Sequence, residues 1–289
     1  MDSKRRPIIN WMGCKASIVN QLLELVPRNF QSYFEPFAGS LSLFMSLNLC
    51  NKRVFINDMN SQLISMYHQV QKDPDALINF VAMLESRLAI ADAASYTEGK
   101  HVYIEIRDKF NKLIKLRKPN LLQVAGMLIF LIQTSFSSII HLNNNGEYTA
   151  GYRAKSSGFR KVLRKDAIHH MNRLLNCNKT LLTSTDFEHC LKRAKRGDFV
   201  YLDPPYWSGT KRMIKYTARG FTKDDHIRLA NIVDVLTKRG CFVMISYGNH
   251  PWIQQMYKQY NITIRNVYRC THQKHSKHAE EMIITNYSL

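Results

Sequence analysis

Long apolar runs are what this chain of 289 residues lacks most plainly. The longest, near Val124 to Ile132, is broken by Gly126 and followed by Gln133. It is too short to cross a hydrocarbon core ~30 Å thick and suits a buried helix instead. No apolar h-region follows Met1-Asp2-Ser3-Lys4-Arg5-Arg6, so no signal peptide is expected, and three basic residues are too few to assert nuclear import. Cysteine is sparse and scattered (Cys14, Cys50, Cys177, Cys190, Cys241 and Cys270), which excludes a disulfide scaffold and points to a reducing interior. Repeats and low-complexity segments are missing as well. Acidic residues are in short supply, with 22 Asp+Glu against 41 Lys+Arg, for a formal charge of +19. Such an excess suits a polyanionic partner, because each neutralised phosphate releases condensed counterions. A solubility device or a basic proteome would produce the same balance.

A hydrophobic fraction of 45% with 11% aromatics is ample for a core, and the length fits one large domain carrying a smaller insertion. Four apolar runs read as buried strands: Ser32 to Glu35, Arg53 to Asp58, Asp198 to Asp203 and Cys241 to Ser246. Helical spacing lies between them. Leu63, Met66, Tyr67 and Val70 follow the second run, and Ile227, Ala230 and Val233 precede the fourth. The latter helix opens on a capping-box pattern at Thr222-Lys223-Asp224-Asp225 and stops at Gly240. Strands alternating with helices predict an α/β, doubly wound sheet. Ligands of such sheets bind beyond the carboxyl ends of the strands, where Glu35, Asp58 and Asp203 fall. Residues 74–165 read differently, with helices around Ala76 to Ala89 and Tyr103 to Leu116, the apolar helix, and then an Asn145-Gly146 turn signal. They are expected to form an inserted lobe tipped by a basic hairpin, leaving 1–73 and 166–289 as the main domain. Ile262 to Tyr268 and Glu281 to Tyr287 are expected to pair antiparallel across the basic, His-rich stretch from Cys270 to His278.

The segment with the most chemistry is Asp203-Pro204-Pro205-Tyr206, directly after the third run. An exocyclic amine on a nucleobase is a poor nucleophile, because its lone pair is delocalised into the ring. An acceptor on each of its hydrogens draws the nitrogen toward tetrahedral geometry and takes up the charge that develops. Asp203 offers a carboxylate oxygen, and the Pro204 carbonyl, held by two restricted φ angles, offers the second acceptor. Tyr206 offers a ring for a purine that has left the helix. A plain strand-end turn is the alternative reading.

Five motifs in order resemble the Dam-type (D12 class) adenine-N6 DNA methyltransferases. Asn10-Trp11-Met12-Gly13-Cys14-Lys15 is similar to that family's Trp-x-Gly-Gly-Lys motif, and Glu35-Pro36-Phe37-Ala38-Gly39-Ser40 to its Glu-Pro-Phe-x-Gly cofactor loop. Asp58-Met59-Asn60-Ser61-Gln62-Leu63-Ile64 resembles its Asp-x-Asn-x-x-Leu-Ile motif, Asp186-Phe187 its Asp-Phe pair, and the tetrapeptide follows. The resemblance implies a Rossmann-like, class I methyltransferase fold with a mixed sheet, S-adenosyl-L-methionine as methyl donor, and transfer to adenine N6 in double-stranded DNA after base flipping. It implies no metal and no membrane, and an intracellular setting: a prokaryotic cytoplasm, or a host interior for a viral chain. Trp11, Lys15, Glu35, Phe37, Gly39, Asp58, Asp186, Phe187 and Asp203 would line the cofactor site. Lys15 would face the methionine carboxylate, Asp58 the ribose hydroxyls, and Asp186 and Phe187 the cofactor's adenine. Singly, Trp11 also suits a core aromatic, Lys15 a solvated charge and Asp58 a helix cap. Cys14, Met12 and Leu41 depart from the family pattern, where small residues or glycine are usual.

Asn143-Asn144-Asn145-Gly146-Glu147-Tyr148 resembles the family's target-recognition hairpin, although Thr149-Ala150-Gly151-Tyr152-Arg153 departs from its continuation. Asn143, Asn144, Asn145, Tyr148 and Arg153 are expected at the DNA, with Lys211, Arg212 and Lys215 forming a phosphate clamp or, alternatively, a solvated loop. No target sequence carries over from a partial match. Cys270, His272, His275 and His278 have zinc-type donors but match no standard spacing, and Lys274 and Lys277 stand among them. Rival readings are an RNA or cytosine-N4 methyltransferase, a non-catalytic nucleic-acid-binding module, and a subunit of a restriction-modification or other modification complex.

Overall fold

A computed structural model describes residues 6–136, 142–143, 145–153, 163–207, 220–269 and 277–289, with side chains left out at 267–269 and 277–279. The chain divides into two compact units. One takes Lys15–Met59 together with the described residues from Cys177 to Leu289. The other takes the residues up to Cys14 and those from Asn60 to Asn176.

The first unit holds a seven-stranded sheet, in the order β3-β2-β1-β4-β5-β7-β6. The strands are β1 (Ser32–Glu35), β2 (Arg53–Asn57), β3 (Lys179–Thr183), β4 (Phe199–Leu202), β5 (Phe242–Gly248), β6 (Asn261–Arg269) and β7 (Lys277–Thr285). Strands β1 to β5 pair parallel, and β7 enters antiparallel between β5 and β6, which makes the sheet mixed and α/β as expected. Every residue of β1 and β4 is buried, as parallel strands covered on both faces should be. Phe34, Val200, Leu202, Val243 and Ile245 meet Leu229, Val233 and Leu236 of helix α8 (Lys223–Arg239) in one core. Helix α8 starts where the sequence places it. Thr222 accepts from the Asp225 amide at 3.2 Å, while the Asp225 carboxylate accepts from the Thr222 amide at 2.9 Å. It stops at Gly240, whose φ is +82°. Two short helices, α1 (Val19–Leu23) and α7 (Phe187–Leu191), and α9 (Pro251–Met256) complete this unit among the described residues.

The second unit is helical: α2 (Ser61–Lys72), α3 (Pro74–Ala94), α4 (Tyr96–Leu113), α5 (Leu121–Thr134) and α6 (Lys165–Cys177, whose last residue falls in the other unit). Asn60, Asp73, Ser95 and Asn120 cap the first four, each accepting an amide of the first turn. Helix α5 is the broken apolar run, buried from Val124 to Thr134. No helix among the described residues is long and apolar enough to cross a membrane. Helices α2 and α6 pack here, so the unit boundaries fall near residues 60 and 176 and lie outside the 74–165 lobe expected from the sequence.

Candidate active site

The strand order reverses direction between β1 and β4, the place where open α/β sheets bind ligands. Glu35 ends β1, Asp203 follows β4 and Asp58 follows β2. Lys15, in a short 3-10 turn (Lys15–Ser17), is buried to 6% exposure. Its Nζ lies 2.6 Å from Asp203 Oδ1 and 2.7 Å from Oδ2, and 3.7 Å from Glu281 Oε1 on β7. The Asp203 side chain keeps 19% of its surface exposed, so the carboxylate is paired yet open on one side.

Tyr206 is gripped from several directions. Its hydroxyl donates to Glu281, and the Lys15 ammonium stands 4.9 Å from its ring centroid. A Cβ at Gly248 would lie 3.0 Å from the ring, so a larger residue there would press the ring by a few tenths of an ångström. Burial, followed by the charges of Asp203 and Glu281, raises the Tyr206 hydroxyl well above its ordinary range and keeps it a donor. Glu35 is buried to 2% exposure and accepts the Tyr33 hydroxyl at 2.7 Å. Its carboxyl is pushed up to about 8, chiefly by burial and further by the negative charge of Asp203, with the Tyr33 hydrogen bond and Lys15 opposing. A neutral acid thus underlies the Lys15–Asp203 pair.

The loop after β1 is riveted by Asn57, whose amide donates to Pro36 O at 3.1 Å and Thr185 O at 2.9 Å. Asp58 Oδ2 accepts the Gly39 amide at 3.0 Å and stays half-buried. Gly39 has φ +46° and Leu41 φ +56°. Leu41 thus holds a left-handed backbone at a cost of ~1–2 kcal/mol, offset by complete burial of its side chain. Asp186 caps α7 through the Glu188 amide at 2.9 Å, and Arg228 of α8 binds both its oxygens, at 2.9 and 2.7 Å. The same guanidinium covers the Phe187 ring at 4.3 Å, and that ring lies against Phe37 (5.4 Å between centroids) and Phe221 (5.8 Å).

In the helical unit, Leu142 and Tyr148 form an antiparallel bridge around Asn145-Gly146, with Gly146 at φ +74°. Asn143 Oδ1 accepts the amides of Asn145 and Glu147, both at 2.9 Å. The segment is bolted down by Tyr103, Tyr96 and Asn111, which donate to the carbonyls of Ala150, Arg153 and Tyr148 at 2.8, 2.9 and 3.0 Å. Two of the residues expected at the DNA are held within this unit. Tyr148 is 1% exposed with its hydroxyl on Leu131 O at 3.1 Å, which anchors the turn. Arg153 is ion-paired with Asp92, its side chain 12% exposed. Asn145 is exposed and Asn143 half-buried; Asn144, Lys211, Arg212 and Lys215 lie outside the described residues.

A family profile described as D12 class N6 adenine-specific DNA methyltransferase matches residues 11–270. This chain belongs to that class. Among its relatives, a type II methyltransferase of Lactococcus lactis subsp. cremoris is 30% identical over 98% of this chain and 95% of its own length. A type II methyltransferase of Methanocaldococcus jannaschii is 30% identical over 98% of this chain and 99% of its own. A DNA adenine methylase of Vibrio cholerae is 24% identical over 91% and 89%. The D12 chain is therefore an enzyme that methylates adenine in DNA site-specifically, and a methyltransferase of this kind implies S-adenosylmethionine as donor. Its structure brings Lys15, Asp203 and Tyr206 into contact, joins Asp58 to Gly39, and sets Phe37 on Phe187. Pro204 is buried and Pro205 half-buried beside them. Trp11 belongs to the helical unit, the boundary falling within its motif between Cys14 and Lys15. The sequence reading missed Glu281, Arg228, Tyr33 and Asn57. For Glu281 a signal existed, a carboxylate leading straight into the apolar run Met282-Ile283-Ile284. Among the described residues no group of His, Cys, Asp and Glu is arranged to hold a metal; Cys270, His272 and His275, and the side chain of His278, are outside them.

Proposed function

We propose that this D12 enzyme activates adenine N6 in duplex DNA by giving one of its hydrogens to the Asp203 carboxylate and the other to the Pro204 carbonyl. The observation that carries the reading is the partly open Asp203 carboxylate, one residue beyond β4 at the sheet's switch point, with the Tyr206 ring set beside Lys15. Two acceptors on one NH2 group localise its lone pair, and a fixed carboxylate stabilises the positive charge that appears on nitrogen. Tyr206 stacks on the purine after the base leaves the duplex. Glu35, neutral at pH 7, keeps a second negative charge away from Asp203.

The residues present fit S-adenosylmethionine. A buried ammonium suits its carboxylate, a half-buried acid behind a glycine-bearing loop suits its ribose, and an aromatic pair suits its adenine. Lys15, Asp58, Phe37 and Phe187 hold it, together with Glu35, Gly39 and Asp203 as the family resemblance implies. Asp186, with both oxygens on Arg228, acts by placing Phe187. When bound, the cofactor supplies a methyl group already activated on a sulfonium. DNA meets the helical unit at the turn of Asn143, Asn144 and Asn145, and Lys211, Arg212 and Lys215 contact phosphates. The chain acts as the modification half of a restriction-modification pair, and a departure from the family hairpin after Tyr148 gives it a target of its own.

The test is expression in a host free of DNA methylation, followed by genome-wide detection of modified bases. N6-methyladenine confined to one short sequence supports the proposal. N4-methylcytosine, or methylation of RNA oligonucleotides in place of DNA, contradicts it.

A further inference from the structure

Glu281 stands where a charge is least expected. The run Glu281-Met282-Ile283-Ile284 of β7 is 2, 0, 0 and 1% exposed, and the strand is paired on both sides. In register, Glu281 faces Gly248 of β5 and Arg265 of β6. A carboxylate in such a place is strongly unfavourable unless it is paired and hydrogen-bonded. Its neighbour Glu280 solves the problem at the surface, accepting from Asn249 at 2.6 Å. Glu281 instead spends its Oε1 on Tyr206 and on Lys15, two members of the site 75 residues or more away in sequence.

Lys15 is thereby set between two carboxylates, 2.6 Å from Asp203 and 3.7 Å from Glu281. The ammonium reaches both Asp203 oxygens, at 2.6 and 2.7 Å, and so competes with an amine hydrogen for their lone pairs. A displacement of Nζ on the order of 1 Å would move it from a hydrogen bond with Asp203 to one with Glu281. We infer that Glu281 is a positioning residue for methyl transfer, fixing the Tyr206 ring through its hydroxyl and receiving the Lys15 ammonium when Asp203 turns to the adenine amine. Glu35 is a poor substitute as receiver, since burial keeps its carboxyl neutral near pH 7. The inference rests on the reading of Asp203 as amine acceptor.

Glu281→Gln preserves shape and an acceptor for Tyr206 while removing the charge. With S-adenosylmethionine and a duplex carrying the unmethylated target site, its single-turnover rate is expected to fall about ten-fold, with the KM for DNA changed less than about three-fold. In a Lys15→Gln background the same change is expected to cost less than about two-fold, because no ammonium remains to be received. Glu281→Asp, which restores charge on a shorter stem, is expected to recover most of the lost rate. An unchanged rate in Glu281→Gln, equal losses in both backgrounds, or an Asp variant as impaired as Gln would each overturn the inference. If Glu281→Gln does not fold, Glu281→Asp decides in both backgrounds: the inference requires the Asp change to cost more rate with Lys15 present than in Lys15→Gln, and equal costs overturn it. A wild-type enzyme without adenine methylation would instead sink the reading beneath it.

Discussion

Glu35 illustrates how one side chain couples the site to stability. Its carboxyl titrates at about 8 in the folded chain because it is buried, against an ordinary value of 4.5. Between these values the folded form holds a proton that the unfolded form has lost. Stability therefore falls as pH rises from about 4.5 to 8, by ~1 kcal/mol per pH unit, and this contribution is flat outside that window. Glu35→Gln removes it, so denaturant midpoints of the variant should gain on the wild type between pH 5.5 and 8; parallel curves would show that Glu35 is ionised in the fold. The candidate site residues that were legible from sequence, Lys15, Asp58 and Asp203, are those whose neighbours along the chain form a motif. Glu281 showed only as a carboxylate opening the apolar run Met282-Ile283-Ile284; its place beside Tyr206 comes from the Gly248–Glu281 register between strands, which no local pattern encodes. Tyr148 is the opposite case. Its position in a turn suggested exposure, but Asn111 and Leu131 draw it into the helices.

Among the elements, those ruled by local chemistry were readable. The capping box of α8 lies at Thr222 and Asp225 as its spacing implies, and Thr222→Ala is expected to cost ~1 kcal/mol in chemical denaturation. A change under a few tenths would mean that packing on the sheet alone holds the helix end. The four apolar runs became β1, β2, β4 and β5 because buried parallel strands carry continuous hydrophobic residues. Strand β3 escaped notice. It lies at the sheet edge, and four of its five residues, Lys179, Thr180, Leu181 and Thr183, are wholly or partly exposed, so the run is short and mixed. Helix α6 also passed unread, although Ile168, Met171 and Leu175 keep helical spacing along its buried face.

At the scale of the whole molecule, the fold class was written in the alternation of strands and helices, whereas the limits of the two units were not. Helices α2 and α6 are amphipathic and would suit either a sheet or a helical bundle, and only tertiary packing assigns them to the helical unit. The net charge of +19 belongs to this scale too. DNA affinity is expected to fall steeply with salt, the plot of log K against log concentration having a slope of magnitude about 5 or more, as measured by fluorescence anisotropy. A slope near zero would mean that the basic surplus does not meet phosphates. The central claim is that the Asp203 carboxylate activates the adenine amine, and single-turnover methyl transfer by Asp203→Ala tests it most directly. Transfer should drop by about 1,000-fold or more while duplex binding stays within about three-fold of wild type; turnover at the wild-type rate would contradict the account.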